Sequence, residues 1–304
     1  MTSKSKTSFS QLTKMKKKLT LEEGFGLLKQ GIAKAMMILD GYPTSALFTC
    51  EDYMKLYDCV YDMCVQPPPS QYSAELYEMF KRALEESITS RVLPALKDKR
   101  HIFVLDELCN MWAKYKVMAK CLGGFFLYLD RHFVEDRKAS SLNDISVLCF
   151  HDMVFRKLYH EILEAAVFLT EEERAAKGVY RDVLKNVSTF FVEIGSGKMH
   201  YYVSFETAVI ESAANYYNLM FANWLLRFSP MEIIVKAQCQ MNQEKERASE
   251  FLHQTSQEKL LLVVHDQLLG QTALSQASKL QEKQKTDYQE VLLQCAGLNL
   301  GEGS

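Results

Sequence analysis

The sequence predicts an all-α protein, and three observations support that class. The six prolines lie at Pro43, Pro67 to Pro69, Pro94 and Pro230, so long stretches of the chain contain none. Between those points apolar residues recur every three or four positions, which is the period of a helix that buries one face. Strict alternation of apolar and polar residues, the pattern of a half-buried strand, appears nowhere convincingly.

Helical spacing is sustained from Leu108 onward, through Met111, Trp112, Tyr115, Met118, Ala119, Leu122, Phe125, Phe126 and Leu129. The same pattern elsewhere predicts helices over residues 21–40, 50–65, 72–90, 102–132, 142–169, 178–194, 202–228, 230–254 and 256–294. About nine long helices joined by short links are typical of a bundle or a solenoid.

Residues with end-of-helix chemistry lie at several of these boundaries. Thr49 is followed by two acidic residues, which suits an N-cap and an electropositive first turn. Thr170 before Glu171–Glu173 predicts a second helix start of the same kind. Asp40–Pro43 contains a glycine and a proline that end the first helix, and Ser229-Pro230 places a proline in the first turn of another.

Charge is unevenly distributed along the chain. Six lysines precede Glu22, the first acidic residue, and without them 30 basic residues face 38 acidic ones. A body of that sign does not suit a nucleic-acid binder. The lysine-rich start suits a nuclear-import signal or a membrane-surface tether, but a disordered, solvated tail over residues 1–20 is the favoured interpretation. Without an apolar run that resembles a signal peptide or a membrane span, we expect a protein of the cytoplasm and nucleus.

Motifs for catalysis, nucleotides or metals are missing from the sequence. It contains no G-x-x-x-x-G-K-[ST], G-x-G-x-x-G, H-E-x-x-H or G-x-S-x-G. The Gly195–Lys198 stretch reads as a turn, since it follows a helical segment instead of a strand. The eight cysteines include no C-x-x-C pair, and the histidines lack metal-ligand spacing. We therefore expect no enzyme activity, no catalytic residue, no metal and no cofactor.

One helix carries more apolar surface than a single buried face needs. The predicted helix 50–65 has a stripe suited to the core, formed by Leu56, Val60 and Met63. Beside it, at i, i+4 and i+8, lie Tyr53, Tyr57 and Tyr61, extended by Met54. Tyrosine and methionine are favoured at protein–protein contacts. The pattern alone fits a binding surface and a helix buried on two sides equally well.

The residues around this stripe resemble a known family. Tyr53–Tyr57 with Val60-Tyr61, followed by Cys64–Pro68, resembles the second helix of cullins, especially the plant cullins of SCF-type (Skp–cullin–F-box) ligases. The resemblance continues through Trp112–Met118 and is strongest at Phe125–Phe133, which is similar to the family's L-D-R-Y-F-like stretch. Later segments are similar in the same order, at residues 149–155, 185–195, 216–225 and 244–247.

The resemblance implies an elongated stalk of stacked five-helix cullin repeats. Residues 21–150 would form the first, adaptor-binding repeat, and residues 151–296 the second, together with any start of a third. Residues 297–304 are expected to be a disordered end. The resemblance therefore adds a specific repeat architecture to the predicted helices.

The family's adaptor surface lies on the second and fifth helices of the first repeat. Carried over by position, it implies partner-binding residues at Tyr53, Met54, Tyr57, Tyr61, Tyr128 and Arg131. The partner implied is a Skp-type adaptor and, through it, F-box proteins; a BTB-type adaptor fits less well. We expect these six side chains to form one exposed patch at the tip of the stalk, so that replacing Tyr53 and Met54 with Ala should nearly abolish adaptor binding and barely change stability.

The sequence also departs from the family. A complete cullin continues into a C-terminal domain that binds the RING subunit and carries the NEDD8-acceptor lysine, and nothing here resembles it, so we expect no RING recruitment. Phe25 and Cys121 occupy the family's tryptophan positions. Gly123 and Gly124 lie inside a predicted helix, where each glycine costs about 1 kcal/mol relative to Ala.

Two hypotheses follow from these features. The leading one is a non-catalytic scaffold that holds an adaptor and either competes with complete cullins or assembles ligases through another partner. The alternative is a structural helical-repeat protein whose adaptor surface has decayed. Binding to purified adaptor discriminates between them.

Overall fold

A computed structural model describes residues 20–66, 71–176, 180–195 and 198–270, with 279, 282–283 and 285–289. Helices dominate these residues and none of them forms a β-strand, which confirms the all-α prediction. Within the same ranges, no helix combines the length and the apolar character that a bilayer crossing requires. The expected disordered segments 1–20 and 297–304 lie outside the described residues, apart from Thr20.

The α-helices between residues 20 and 270 are α1 (Leu21–Met36), α2 (Thr44–Leu47), α3 (Cys50–Cys64), α4 (Ser73–Ser87), α5 (Leu93–Leu96), α6 (Ile102–Phe125), α7 (Leu127–Arg131), α8 (Phe133–Arg137), α9 (Leu142–Phe150), α10 (Arg156–Ala176), α11 (Arg181–Ile194), α12 (His200–Leu225), α13 (Pro230–Phe251) and α14 (Gln254–Leu269). Short π-helical segments at Ile88–Val92 and His151–Phe155 join α4 to α5 and α9 to α10.

The chain divides into two compact units. One contains the described residues up to Ala95 together with Met111–Val154, and the other contains Leu96–Asn110 together with the described residues from Phe155 onward. The repeat boundaries expected from the sequence, 21–150 and 151–296, stay predictions.

Capping boxes fix the start of three helices. Thr49 accepts the amide of Asp52 at 3.1 Å, while the Asp52 carboxylate accepts the amide of Thr49, which confirms the predicted N-cap of α3. Ser229 and Glu232 do the same at α13, where Pro230 fills the first position. Thr20 and Glu23 form a third box at α1. Each box pairs amides that an uncapped helix end would leave free.

Several predicted helix boundaries are wrong, for local reasons. Thr170 does not start a helix, because it is buried within α10 and its hydroxyl donates to the Val167 carbonyl at 2.7 Å. Glu173 instead accepts the amide of Tyr180 at 3.0 Å, just before α11. The first helix ends at Met36, and turns continue to Gly41, whose φ of +99° suits glycine. Much of the predicted helix 256–294 lies outside the described residues.

Aromatic side chains fill the core of the first unit. Tyr115, Phe125, Phe126 and Phe150 are fully buried. The Tyr115 hydroxyl donates to the Ser146 carbonyl at 2.9 Å, so its burial leaves no hydroxyl proton unpaired. This core supports the C-terminal half of α6, from which α7 continues.

Helix α3 lies close to α1 through a small residue. A methyl group placed on Gly31 would come within 2.8 Å of Leu56, so only glycine fits without a shift of that side chain. Leu56, Val60 and Met63 are all buried, which confirms the stripe that the sequence assigned to the core. The opposite side of α3 is thereby turned away from α1.

A buried ion network joins three helices of the second unit. The carboxylate of Glu244 (α13) accepts Arg174 Nε from α10 at 3.2 Å and Arg247 Nε at 3.0 Å. It also accepts the hydroxyl of Tyr217 (α12) at 2.8 Å. Burial raises the pKa of Glu244, but the two guanidinium groups outweigh that effect, so the pKa lies below its ordinary value. The carboxylate is therefore charged and holds two buried cations.

Replacing Glu244 with Gln should lower the free energy of unfolding by about 3–5 kcal/mol, because two buried guanidinium groups lose their counter-charge. Urea denaturation measures this loss. Glu246→Gln is the matched control. The Glu246 side chain is 67% exposed and pairs with Arg181, so this change should lower the free energy of unfolding by less than about 1 kcal/mol. Equal effects of the two changes would contradict the assignment.

The pH dependence of stability should carry the same signature. A carboxyl group whose pKa is lower in the folded chain stabilises above its unfolded pKa, and that stability disappears as the pH falls through the folded value. The contribution of Glu244 should therefore be complete above about pH 4.5 and decline below it. Denaturation midpoints between pH 7 and pH 3 should fall less steeply for Glu244→Gln than for the parent chain.

Candidate functional site

Helices α3 and α7 contact each other and carry Met54, Tyr57, Tyr61, Tyr128 and Arg131, which together are called the α3–α7 patch. Met54 is 58% exposed and Tyr61 is 40% exposed, while Tyr57 and Tyr128 are partly buried and Arg131 is exposed. Met54 and Tyr61 are seven residues apart, so their side chains leave the α3 axis within about 20° of each other. The two therefore occupy the same solvent-facing side.

Contact between Tyr61 and Tyr128 joins the two halves of the patch. Their rings meet edge to face, with centroids 5.1 Å apart and planes at 89°. Partial burial raises the pKa of Tyr128, and neighbouring Cys64, Tyr61 and Tyr57 raise it further. The phenol of Tyr128 therefore stays neutral at physiological pH and is available as a hydrogen-bond donor.

An interruption of the helix at Phe126, between α6 and α7, sets the direction of α7. The sequence predicted one helix over residues 102–132, but α6 ends at Phe125, and Phe126 has φ −94° and ψ 11°. Leu129 is buried and anchors the short α7, while the Asp130 carboxylate accepts the amide of Leu142 at 2.8 Å. Tyr128 and Arg131, three residues apart, then share the opposite side of α7.

Tyr53 differs from the other predicted site residues, because its side chain packs within the protein. Its ring meets that of Phe125 edge to face at 4.8 Å, and its hydroxyl donates to the Cys121 carbonyl at 2.8 Å. Burial raises the pKa of Tyr53 to about 12, with a smaller contribution from Cys121. The expectation that Tyr53 faces solvent is therefore corrected: it is half-buried and tied to α6.

His132 lies beside the patch and is not among the residues predicted from the sequence. Its imidazole lies 4.4 Å from the ring of Tyr128, measured between centroids. Tyr128 and His132 also line one polar cavity of about 350 Å³, together with Gln71, Phe133 and Arg137. The i, i+4 spacing of two ring-bearing residues was the available signal.

The chemistry of the patch is that of a contact surface. Rings and a thioether supply apolar area that loses little conformational entropy on binding, and Arg131 adds a cation with several donors. Across the described ranges, no group of three or more His, Cys, Asp or Glu side chains lies together in a way that could hold a metal ion. Shape and apolar contact are what this surface offers.

Comparison with known proteins identifies the helical fold. Residues 34–295 match the family model of the cullin alpha solenoid domain. Rice (Oryza sativa subsp. japonica) Cullin-1 is 39% identical over 281 residues, which cover 92% of this chain and 37% of that protein. Two Arabidopsis thaliana proteins are also similar: putative cullin-like protein 2 is 33% identical, covering 83% of this chain and 68% of its own length, and cullin-like protein 3 is 29% identical, covering 78% and 91%.

The chain thus has a cullin-type helical solenoid domain. It belongs to the cullin family, whose members scaffold ubiquitin ligases. This confirms the resemblance drawn from the sequence. The chain spans 37% of the length of rice Cullin-1 and 35% of the Arabidopsis putative cullin-like protein 1 that it matches.

Stability measurements should separate Tyr53 from its neighbour Met54. Tyr53→Ala removes a partly buried ring and a hydrogen bond, so we expect a loss of about 2–4 kcal/mol in the free energy of unfolding. Met54→Ala removes an exposed side chain and should change it by less than about 0.5 kcal/mol. Denaturant unfolding of both single variants is the measurement, and similar losses would contradict the geometry.

Proposed function

We propose that this chain is a non-catalytic scaffold module that docks a Skp-type adaptor and, through it, F-box substrate receptors. The observation that carries the proposal is the contact between Tyr61 and Tyr128 in the α3–α7 patch, on the side of α3 where Met54 is also exposed. Membership of the cullin family supports it. Five of the six residues that the resemblance implies for adaptor binding, all except Tyr53, belong to this patch.

The composition of the patch supports high affinity from few residues. Tyrosine, arginine and well-packed apolar side chains dominate the energetics of protein interfaces. The Tyr61–Tyr128 contact holds two of the rings in place before binding, so less conformational entropy is lost when a partner arrives. A preorganised aromatic surface with one adjoining cation suits a protein partner better than a small molecule.

We further propose that the chain holds adaptor without delivering ubiquitin. The proposal concerns the residues that match the solenoid domain, 34–295. A module of this kind would compete with complete cullins for the same adaptor. The cytoplasm and the nucleus are the compartments in which we expect this competition.

Binding to a purified Skp-type adaptor, measured by calorimetry, tests the docking proposal. Met54→Ala and Arg131→Ala should each weaken binding about thirtyfold, which corresponds to about 2 kcal/mol for a residue at the centre of an interface. Leu148→Ala on α9 is the control, because Leu148 is an exposed apolar residue of the same unit, outside the patch. The adaptor affinity of the Leu148→Ala variant should stay within about twofold of that of the parent chain.

Three outcomes of the calorimetry would count against docking. No binding by the parent chain would favour the structural helical-repeat protein whose adaptor surface has decayed. Unchanged affinity in both patch variants would place the adaptor elsewhere. Equal weakening by Leu148→Ala would show that the loss is not specific to the α3–α7 patch.

A ubiquitylation assay tests the second part of the proposal. Adaptor, F-box protein, substrate, RING subunit and E2 are combined with this chain, and a complete cullin serves as the positive control. We expect no substrate ubiquitylation from this chain alone, and we expect it to inhibit the complete cullin as its concentration rises. Ubiquitin chains that depend on this protein, or an absence of inhibition, would contradict the proposal.

A further inference from the structure

Tyr53 and Gly124 meet more closely than two ordinary residues could. A methyl group placed on Gly124 would overlap the Tyr53 hydroxyl and lie 2.6 Å from its Cζ and 2.8 Å from its Cε1. The neighbouring Gly123 differs, because a methyl group there meets nothing within 4 Å. Of two adjacent glycines in α6, Gly124 is the one whose missing side chain admits the Tyr53 ring.

The ring that Gly124 admits is held by directional contacts. Its hydroxyl donates to the Cys121 carbonyl, one turn of α6 before Phe125, at 2.8 Å. Its edge-to-face contacts are with Phe125 at 4.8 Å and with Phe48 at 6.5 Å, just before α3. The start of α3 is thereby fixed against the end of α6.

Both halves of the α3–α7 patch continue directly from this contact. Met54 follows Tyr53 in α3, and Tyr61 lies two turns further along the same helix. On the other side, α7 with Tyr128 begins two residues after Phe125. If Tyr53 moves relative to α6, the distance between the rings of Tyr61 and Tyr128 therefore changes.

We propose that Gly124 is a positioning residue of the α3–α7 patch: by admitting the Tyr53 ring to α6, it sets how α3 and α7 are aligned for the adaptor. This inference rests on the proposed docking function. Gly124 acts through Tyr53, and its own contribution to the binding surface is not required. The pair Gly123 and Gly124 supplies a control one residue away with the same chemistry.

Gly124→Ala and Gly123→Ala are the two variants to compare. Gly124→Ala should expel the Tyr53 ring, lower the melting temperature by about 3 °C or more, and weaken adaptor binding about tenfold. Gly123→Ala adds a methyl group in open space and improves helix propensity, so neither the melting temperature nor the affinity should fall. Equal affinities of the two variants would overturn the inference.

Tyrosine nitration shows whether Gly124 acts through Tyr53. In the parent chain tetranitromethane should modify Tyr61, which is 40% exposed, and spare Tyr53, whose burial raises its pKa to about 12. In Gly124→Ala, peptide mass spectrometry should find Tyr53 modified, while in Gly123→Ala it should remain protected. A drop in affinity with Tyr53 still protected would contradict the mechanism.

A double variant adds an independent check. If Gly124 acts only by admitting Tyr53, then Tyr53→Ala with Gly124→Ala should bind adaptor no more weakly than Tyr53→Ala alone. Should Gly124→Ala fail to fold, Tyr53→Phe replaces it, since it keeps the ring and removes only the hydrogen bond. Its affinity should fall about threefold, and an unchanged value would count against the inference.

Met54→Ala distinguishes failure of this inference from failure of the docking function. If Met54→Ala weakens adaptor binding and Gly124→Ala does not, the adaptor site stands and the positioning role is wrong. If neither change affects binding, the patch is not the adaptor site, and both proposals are wrong.

Discussion

Burial of one stripe of α3 is the constraint on which the candidate site depends. Leu56, Val60 and Met63 are all buried, and Gly31 lets α1 lie close over Leu56. Because these three side chains point into the core, the rotation of about 100° per residue of a helix fixes the directions in which the other side chains of α3 leave the axis. Met54 and Tyr61 leave the helix roughly 130–155° from the centre of the buried stripe, and both are exposed. The surface is thus a consequence of how the core is packed.

The same geometry explains how far the sequence could predict the site. Spacing at i, i+4 and i+8 suggested that Tyr53, Tyr57 and Tyr61 share one face. Eight residues turn through about 800°, however, so Tyr61 is rotated by about 80° from Tyr53. Tyr53 lies nearer the buried stripe and packs against α6, while Tyr61 reaches solvent and Tyr128. Periodicity predicted the helix and its buried residues. It did not distinguish Tyr53 from Tyr61, although their different directions around the helix axis place them in different environments.

Other features depended on partners that no local pattern reveals. The Tyr53 hydroxyl bonds to Cys121, 68 residues away in the chain, and the break at Phe126 interrupts a run of perfect helical spacing. In the second unit, Glu244 and Arg247 look like an exposed i, i+3 pair on a charged helix, yet both are buried with Arg174. Local chemistry predicted the cap at Thr49 because that contact spans only three residues.

The two glycines of α6 show why residue type alone does not determine whether a residue stabilises or destabilises the folded chain. In a helix interior each costs about 1 kcal/mol relative to Ala, so the sequence suggests two equal weaknesses near the candidate site. At Gly124 the cost is offset by a hydrogen bond and ring contacts that the Tyr53 side chain could not otherwise make, together worth about as much or more. At Gly123 no side chain uses the space; this residue borders a groove of about 610 Å³ that Trp112 and Leu142 also line. One glycine is therefore required by the packing of α3, and the other leaves part of α6 less stable than an alanine would.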